Sequence, residues 1–148
     1  MHSVSGGELV QRDCELVILR VAVHMRTWYE WAAHVDRGLT AGLALYEIFR
    51  VVQGPDAKEW SAKDSALLAA VDQLITKRRI VPATEKALRE FYSEKQILDI
   101  ISLQGMYVTI ACIIGTWPIE IEPQIVERLP ESVTESGFRD LLSAFDGD

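Results

Sequence analysis

Residues 27–34 combine, within two turns of a predicted helix, side chains that could transfer a proton. Glu30 and His34 are four residues apart, so their carboxylate and imidazole would lie on one helix face. A carboxylate beside an imidazole raises its basicity and fixes its tautomer, as a general acid/base pair requires. An ordinary Glu–His pair on a solvated surface has the same spacing, so the spacing alone leaves both interpretations open.

Several polar and aromatic residues are expected close to this pair. Thr27 precedes Glu30 by nearly one turn. Trp28 and Tyr29 lie between these two residues, and Trp31 directly follows Glu30. Tyr107, on a later helix, is either a core tyrosine with a bonded hydroxyl or part of a pocket wall. We therefore treat these side chains as candidates for a substrate pocket.

Glu15 directly precedes an apolar run at residues 16–19. It could lie at a solvated first helical turn, where a carboxylate favours the helix dipole, or beside the candidate pair. With Glu30 and His34 it could also supply three metal ligands. The other two histidines are on another helix and in the first residues of the chain, not at ligand spacing, so we predict no metal site.

Helical periodicity recurs along the chain, and no stretch alternates cleanly between apolar and polar residues, which predicts an all-α fold. We expect a bundle of six or seven helices. Their predicted positions are a first helix capped by Asp13 and ending at Met25, a second over 27–40, a short third stopping at Gly54, a fourth capped by Ser61, a fifth opened by Pro82, a long sixth capped by Ser93, and a last one over 132–145. Three prolines predict an extended segment over 118–131.

Residues 100–119 contain no charged side chain, which is about the length of a bilayer span. Polar and small residues dilute this stretch, so we predict a buried core helix and no membrane segment. Residues 1–7 lack the basic start and apolar stretch of a secretory signal. We therefore expect a cytoplasmic protein whose two cysteines, Cys14 and Cys112, are reduced thiols.

The net charge of −7 is concentrated near the C-terminus. Residues 120–148 hold eight acidic and two basic side chains, whereas the rest of the chain is almost neutral. This contrast predicts a helical domain over 1–117 and a proline-rich acidic tail over 118–148 that ends in a short helix. A pI near 5.0 with 15 Lys and Arg residues argues against a nucleic-acid partner.

Four segments and two later residues occur in an order that resembles a known family. The segments are 15–22 (ELVILRVA), 29–34 (YEWAAH), 54–57 (GPDA) and 67–74 (LLAAVDQL), and the residues are Gly105 and Tyr107. Together they resemble the carboxymuconolactone decarboxylase family, which includes alkylhydroperoxidase D (AhpD), over about residues 9–123. The resemblance implies an all-α AhpD-like fold, an active centre on the second helix, and homo-oligomers that are often trimers or hexamers.

The peroxidase branch of this family carries a Glu, then a Cys-x-x-Cys pair with a Tyr inside it, then a His. The resemblance places Glu15, Tyr29 and His34 on the Glu, Tyr and His of that motif. It places Thr27 and Glu30 on the two cysteines. Dithiol reduction of a peroxide needs a nucleophilic thiolate and a resolving thiol, and both are missing here. The resemblance therefore implies the decarboxylase branch, which lacks the redox pair and uses no cofactor.

We therefore predict a cofactor-independent enzyme, a lyase of the decarboxylase type, that acts by acid/base chemistry on a small organic acid, lactone or enolisable carbonyl. Decarboxylation, isomerisation and dehydration fit the same residues. The expected catalytic residues are His34, Glu30, Glu15 and Tyr29, and the expected substrate-binding residues are Thr27, Trp28, Trp31 and Tyr107.

Two alternatives stay open from the sequence. The first is a non-catalytic ligand-binding or accessory protein on the same fold. The second is a thiol peroxidase that uses Cys14 or Cys112. Under the main prediction, the partners are a small-molecule substrate and further copies of the chain, with no nucleic acid and no membrane.

Overall fold

A computed structural model of the chain describes residues 8–146, and within this range it contains eight helices and no strand. Residues 1–7, which we predict are not a secretory signal, lie outside the described range. The helices are α1 (Gln11–Met25), α2 (Trp28–Thr40), α3 (Leu45–Gln53), α4 (Ala62–Lys77), α5 (Pro82–Arg89), α6 (Glu94–Thr116), α7 (Pro123–Arg128) and α8 (Glu135–Asp146). The all-α prediction is confirmed, with one helix more than expected.

α1 forms the centre of the fold. Every residue from Leu16 to Val23 is buried, and the helix packs against α2, α3, α4 and α6. A helix that is apolar nearly all round is expected in such a position. Its predicted cap was wrong, because α1 begins two residues before Asp13. Asp13 instead lies buried inside the helix, where Lys63 Nζ and Tyr92 Oη donate to it at 3.1 and 2.8 Å.

Most of the other predicted helix starts are confirmed. The Ser61 hydroxyl accepts the Asp64 amide at 3.1 Å, and the Ser93 hydroxyl accepts the Gln96 amide at 3.1 Å. These bonds satisfy amides that have no partner within their own helix. α5 begins at Pro82 as predicted. α3 ends before Gly54, whose φ of +88° suits glycine better than any other residue.

The predicted extended segment at 118–131 was only partly right. Residues Pro123–Arg128 form α7, because a proline that ends one helix can equally occupy the first turn of the next. Arg128 Nη2 donates to Asp36 of α2 at 3.0 Å and holds this short helix against the body of the protein.

The prediction that residues 100–119 form a buried core helix was wrong. Only Ile97, Ile100 and Ala111 of α6 are buried, and much of its apolar surface faces outward. Among the described residues, α6 is the one helix long and apolar enough to cross a membrane, judged by length and composition alone. Its most apolar window is only 17% buried, so the single chain leaves this helix largely uncovered.

α8 packs on the body through its apolar face. The Phe138 ring stacks on Trp31 with centroids 5.1 Å apart and also contacts Trp28. Phe138 and Leu142 are buried, and an ion pair joins Asp146 to Arg26 at the end of α1. The C-terminal helix therefore completes the hydrophobic core on the side of α2 and α3.

Candidate active site

α1 and α2 are joined by only two residues and pack against each other, which brings Glu15 against His34. The Glu15 Oε1 atom lies 2.6 Å from His34 Nδ1, and Gln11 Nε2 donates to Glu15 Oε2 at 2.6 Å. Both Glu15 and His34 are buried. Because an ionised carboxylate only accepts hydrogen bonds, this contact fixes the proton of a neutral imidazole on Nδ1. The Nε2 atom makes no hydrogen bond to any described residue, so it is free to exchange a proton with a ligand.

Glu30 is a buried carboxyl group without a partner. Its exposed fraction is 2%, and neither carboxylate oxygen makes a hydrogen bond within the described part of the chain. Burial disfavours the charged form and raises the pKa of Glu30 to about 7. At neutral pH both protonation states of Glu30 are therefore populated, which is the condition under which a carboxyl group serves as acid or base.

Glu30 and His34 line the same cavity, which has a volume of about 310 Å³. The Tyr107 ring forms one wall and contacts the His34 ring edge-on, with centroids 5.1 Å apart. The lining residues Arg37 and Gln124 are exposed, so the cavity is open to solvent. Besides these three residues, the lining consists of Tyr29, Ala33, Arg37, Ile110, Ile114, Glu122, Gln124 and Ile125.

Comparison with known proteins gives a likeness in structure and none in sequence. No protein-family model matches the sequence, and no curated protein matches it. A solved structure is similar: that of a protein of unknown function from Agrobacterium tumefaciens, provisionally described as the antioxidant defence protein AhpD. The TM-score is 0.69, and the likeness covers 75% of this chain and 77% of the other at 19% identity. The chain has the AhpD-like fold. At this identity the likeness concerns the AhpD-like fold and not one branch of chemistry.

Within this AhpD-like fold, Glu15 and not Glu30 is the hydrogen-bond partner of His34. Glu30 and His34 share a helix face and a cavity, but the imidazole bonds to Glu15 on the neighbouring helix. Spacing along one helix predicts which residues share a face, whereas contacts between helices depend on how the helices pack. Glu15, Glu30 and His34 are not arranged to hold a metal ion together. Within residues 8–146, no three or more His, Cys, Asp or Glu side chains form a group that could bind one.

Three predicted substrate-binding residues lie outside the cavity. Thr27 and Trp28 line a separate groove that α8 and the end of α6 border. Trp31 is 1% exposed and belongs to the core beneath Phe138. The reason is the 100° turn between successive helical residues, which points these neighbours of Glu30 in other directions. Tyr107 does line the cavity, as does Tyr29, although the Tyr29 hydroxyl already donates to Glu122 Oε1 at 2.7 Å.

Sequence reasoning missed two charged residues at this site, Arg37 and Glu122. Arg37 follows His34 by three residues, so helical periodicity could have identified it. Its guanidinium makes no ion pair or hydrogen bond to a described residue, and it lines the cavity. Glu122 gave no signal, because it precedes a short helix that folds back onto α2. The hydrogen bond from Tyr29 lowers the pKa of Glu122 and raises that of Tyr29.

The two cysteines lie outside the cavity lining. Cys14 is half-buried, and burial raises the pKa of its thiol, with a smaller contribution from the charge of Glu15. A raised thiol pKa disfavours the thiolate that peroxide reduction requires. Cys112 lies on the exposed side of α6. Neither environment favours the thiol peroxidase alternative.

Proposed function

We propose that this protein is a cofactor-independent acid/base enzyme that acts on a small organic acid, lactone or enolisable carbonyl. The observation that carries the proposal is Glu30, a buried carboxyl without a partner that lines a cavity beside an oriented imidazole. Burying such a group destabilises a fold unless a partner compensates it. Titratable groups with pKa values shifted toward neutrality are typical of functional sites.

The proposed roles follow from the hydrogen bonds of each residue. Glu15 holds the His34 ring and fixes its tautomer, so Glu15 is a positioning residue. His34 and Glu30 face the ligand as proton acceptor and donor. Tyr107 and the isoleucines of α6 form an apolar wall, which strengthens electrostatic interactions within the cavity. Tyr29 contributes as a wall residue, because its hydroxyl proton is engaged by Glu122.

Two related reactions use this set of residues. In an isomerisation, one group removes a proton next to a carbonyl, the C–H electron pair forms an enolate, and the other group protonates a different carbon. In a decarboxylation, the C–C bond to the carboxylate breaks, carbon dioxide leaves, and its bonding electrons form the enolate. A proton from Glu30 or His34 then forms the new C–H bond. Both reactions balance without an oxidant or reductant.

Arg37 supports an acidic ligand. It is an exposed cation that makes no ion pair or hydrogen bond within the described residues, although it interacts electrostatically with Glu122, and it lies one turn beyond His34 on the same helix. A guanidinium binds a carboxylate through two parallel hydrogen bonds. A small acid could therefore place its carboxylate at Arg37 while its reacting carbon lies near His34 and Glu30.

The proposal is tested by hydrogen exchange into small molecules. Purified protein is incubated in D₂O with a panel of 2-keto acids, 3-keto acids and unsaturated lactones, and proton NMR follows loss of C–H signals and of substrate. We expect catalysed exchange or decarboxylation that falls at least about a hundredfold in both Glu30→Gln and His34→Ala. Glu127→Gln, a matched change on an exposed side chain outside the cavity, should retain the wild-type rate.

Equal rates in Glu30→Gln, His34→Ala and wild type would disprove the assigned roles. Saturable binding of an acid, seen by ligand-observed NMR, with neither exchange nor turnover across the panel would favour the ligand-binding alternative. The same cavity and the same Arg37 would serve that function.

A further inference from the structure

Three buried side-chain oxygens in the described part of the chain have no hydrogen-bond partner, and all three belong to residues that line one cavity. They are both carboxylate oxygens of Glu30 and the Oε2 atom of Glu122. The other buried carboxylates, those of Asp13, Glu15 and Asp64, each accept a hydrogen bond from a neighbouring side chain. Buried polar groups in proteins are almost always paired, so exceptions that cluster at one cavity require an explanation.

Glu122 has one carboxylate oxygen bonded and the other free. Its Oε1 atom accepts the Tyr29 hydroxyl at 2.7 Å, and this hydrogen bond lowers the pKa of Glu122. The group is therefore ionised at neutral pH, and an ionised carboxylate can only accept hydrogen bonds. Arg37 acts on Glu122 through its charge but makes no hydrogen bond or ion pair with it. The Oε2 atom of Glu122 thus lacks a donor from the described chain.

Glu30 needs a donor in either protonation state. An ionised carboxylate only accepts hydrogen bonds, and a protonated one still has an oxygen that accepts. Three wall residues could donate, Arg37, Tyr107 and Gln124, but none of them bonds to Glu30 or to Glu122. A metal ion fits poorly, because the described part of the chain contains no group of three His, Cys, Asp or Glu side chains that could hold one. A ligand that carries an O–H or N–H group would supply the missing hydrogen bonds.

The positions of Arg37 and Glu30 on α2 limit the length of such a ligand. They are seven residues apart, which corresponds to about 10 Å along the helix axis. Because Tyr29 directly precedes Glu30, its hydrogen bond holds Glu122 at the Glu30 end of this distance. An extended four-carbon acid with a donor on its last carbon is about 5 Å long. A hydrogen bond of about 2.9 Å at each end would complete the span.

We propose that the ligand of this cavity is a small acid that carries a hydroxyl or ammonium group about four carbons from its carboxylate. The carboxylate binds Arg37, and the hydroxyl or ammonium group donates to the free oxygens of Glu122 and Glu30. The negative charge of Glu122 repels the carboxylate of the ligand, so the acid binds in one orientation. Glu122 therefore selects among acids and takes no part in proton transfer. That the ligand is a small acid rests on the proposed function, and the donor group is a further requirement that simple keto acids and lactones do not meet.

The first test compares acids of one chain length by ligand-observed NMR titration of the wild-type protein. The acids are butanoate, 4-methoxybutanoate, 4-hydroxybutanoate and 4-aminobutanoate. The methoxy group has an oxygen but no donor, so it controls for size and polarity. The hydroxy or the amino acid should bind with a Kd at least about tenfold lower than the methoxy acid, because a site built for a donor rejects an analogue that lacks one. Tighter binding of the hydroxy acid would identify a hydroxyl ligand, and tighter binding of the amino acid an ammonium ligand. Equal Kd values for all the acids, or no binding at about 10 mM, would overturn the proposal.

The second test asks whether Glu122 supplies the preference. In Glu122→Gln, the amide oxygen can still accept from Tyr29, and an NH₂ group that only donates replaces the other oxygen. This variant should keep the wild-type circular dichroism spectrum, bind butanoate at least as tightly as wild type, and lose most of the preference for a donor. Glu127→Gln, on the same short helix but outside the cavity lining, should keep the preference. A preference that survives in Glu122→Gln would contradict the role of Glu122.

Binding and activity can fail separately in these experiments. A clear preference for the donor-bearing acids, without hydrogen exchange or turnover of any compound, would support the assigned ligand and contradict the proposed enzyme. Exchange or decarboxylation of keto acids, together with equal binding of butanoate and its three derivatives, would support the enzyme and overturn the assigned ligand.

Discussion

Burying the Glu30 carboxyl group should cost the fold stability. It is buried without a hydrogen-bond partner, yet it lines a cavity that reaches solvent. The neighbouring charged groups are compensated differently: Glu15 bonds to His34 and Gln11, and Asp13 bonds to Lys63 and Tyr92. No neighbouring group therefore offsets the free-energy cost of burying Glu30, and this cost should be visible in the pH dependence of stability.

Replacing Glu30 by Gln should change how stability depends on pH. The pKa of Glu30 is raised from its ordinary value of 4.5 to about 7 in the folded state, so the folded chain holds a proton that the unfolded chain releases. Wild-type stability should accordingly fall as pH rises from 4.5 to 7, and Glu30→Gln should lack this decline. At pH 8 the variant should be more stable than wild type by on the order of 3 kcal/mol, and near pH 4.5 the two should be similar.

Urea unfolding at a series of pH values between 4.5 and 8 measures this effect. Glu127→Gln serves as the control, because this carboxylate is exposed and lies outside the cavity, and the change should leave the wild-type curve unchanged. Parallel curves for wild type and Glu30→Gln would mean that Glu30 ionises in the fold as readily as in water.

Arg37 should determine affinity for anionic ligands. Its guanidinium is exposed at the rim of the cavity and makes no hydrogen bond or ion pair within the described residues, so removing it should weaken binding of a carboxylate without disturbing the fold. For an acid identified in the exchange assay, Arg37→Gln should raise KM roughly five- to tenfold with kcat little changed. The methyl ester of the same acid should bind wild type and variant equally. Equal losses for acid and ester would exclude a charge-specific role.

The sequence predicted part of this site, and there is a physical reason why it did not predict the remaining contacts. The spacing of Glu30 and His34 along one helix predicts a shared face, and the two residues do line one cavity. The bond from His34 to Glu15 spans 19 residues and two helices, so helical spacing carries no information about it. The resemblance to a known family placed Glu15 in the site, while Glu122 belongs to a segment whose return onto α2 only packing determines.

At the scale of elements, the predictions succeeded where one residue fixes a local conformation. Ser61, Pro82 and Ser93 act within a few residues, and the helices they introduce begin where predicted. The prediction that α6 is buried was wrong, because a run without charges indicates contact with something apolar but does not show that the contact is within the same chain. α7 was missed because proline both ends helices and begins them.

α7 should be the element that controls access to the cavity. It contributes Gln124 and Ile125 to the lining, and two polar contacts hold it to α2: Tyr29 with Glu122, and Arg128 with Asp36. Tyr29→Phe combined with Arg128→Gln removes both contacts. Amide hydrogen exchange followed by mass spectrometry should then become severalfold faster in residues 123–128, because local opening becomes easier, and stay unchanged in α1 and α4.

Arg139→Gln is the matched control for this experiment. It removes an exposed ion pair within α8, with Glu135, and leaves the two contacts of Tyr29 and Arg128 in place. Exchange in 123–128 should match wild type in that variant. If the double variant also exchanges at the wild-type rate, α7 is held by its apolar contacts and the two polar contacts do not control it.

For the whole molecule, the acidic C-terminal region is part of the core as well as part of the surface. Its charges account for most of the net charge, whereas Phe138 and Leu142 are buried against the body. The apolar spacing at residues 138–145 predicted a helix with one buried face, and α8 has that face. Charge composition alone therefore gives a poor guide to how this region packs, because it describes only the outward side.

Phe138→Ala should destabilise the entire fold and not only its C-terminal helix. The ring is 3% exposed and stacks on Trp31, which itself lies in the central core. Truncating a buried phenylalanine typically costs about 3–5 kcal/mol, through lost burial and the cavity left behind. If α8 unfolds together with the body, denaturation followed by circular dichroism and by tryptophan fluorescence should give one coincident transition at lower denaturant, at equal protein concentration. Tyr46→Ala removes an aromatic ring that is 66% exposed and should shift the midpoint far less. Two separate transitions in wild type, with only the first moved by Phe138→Ala, would show instead that α8 is a tail that docks onto an independently stable body.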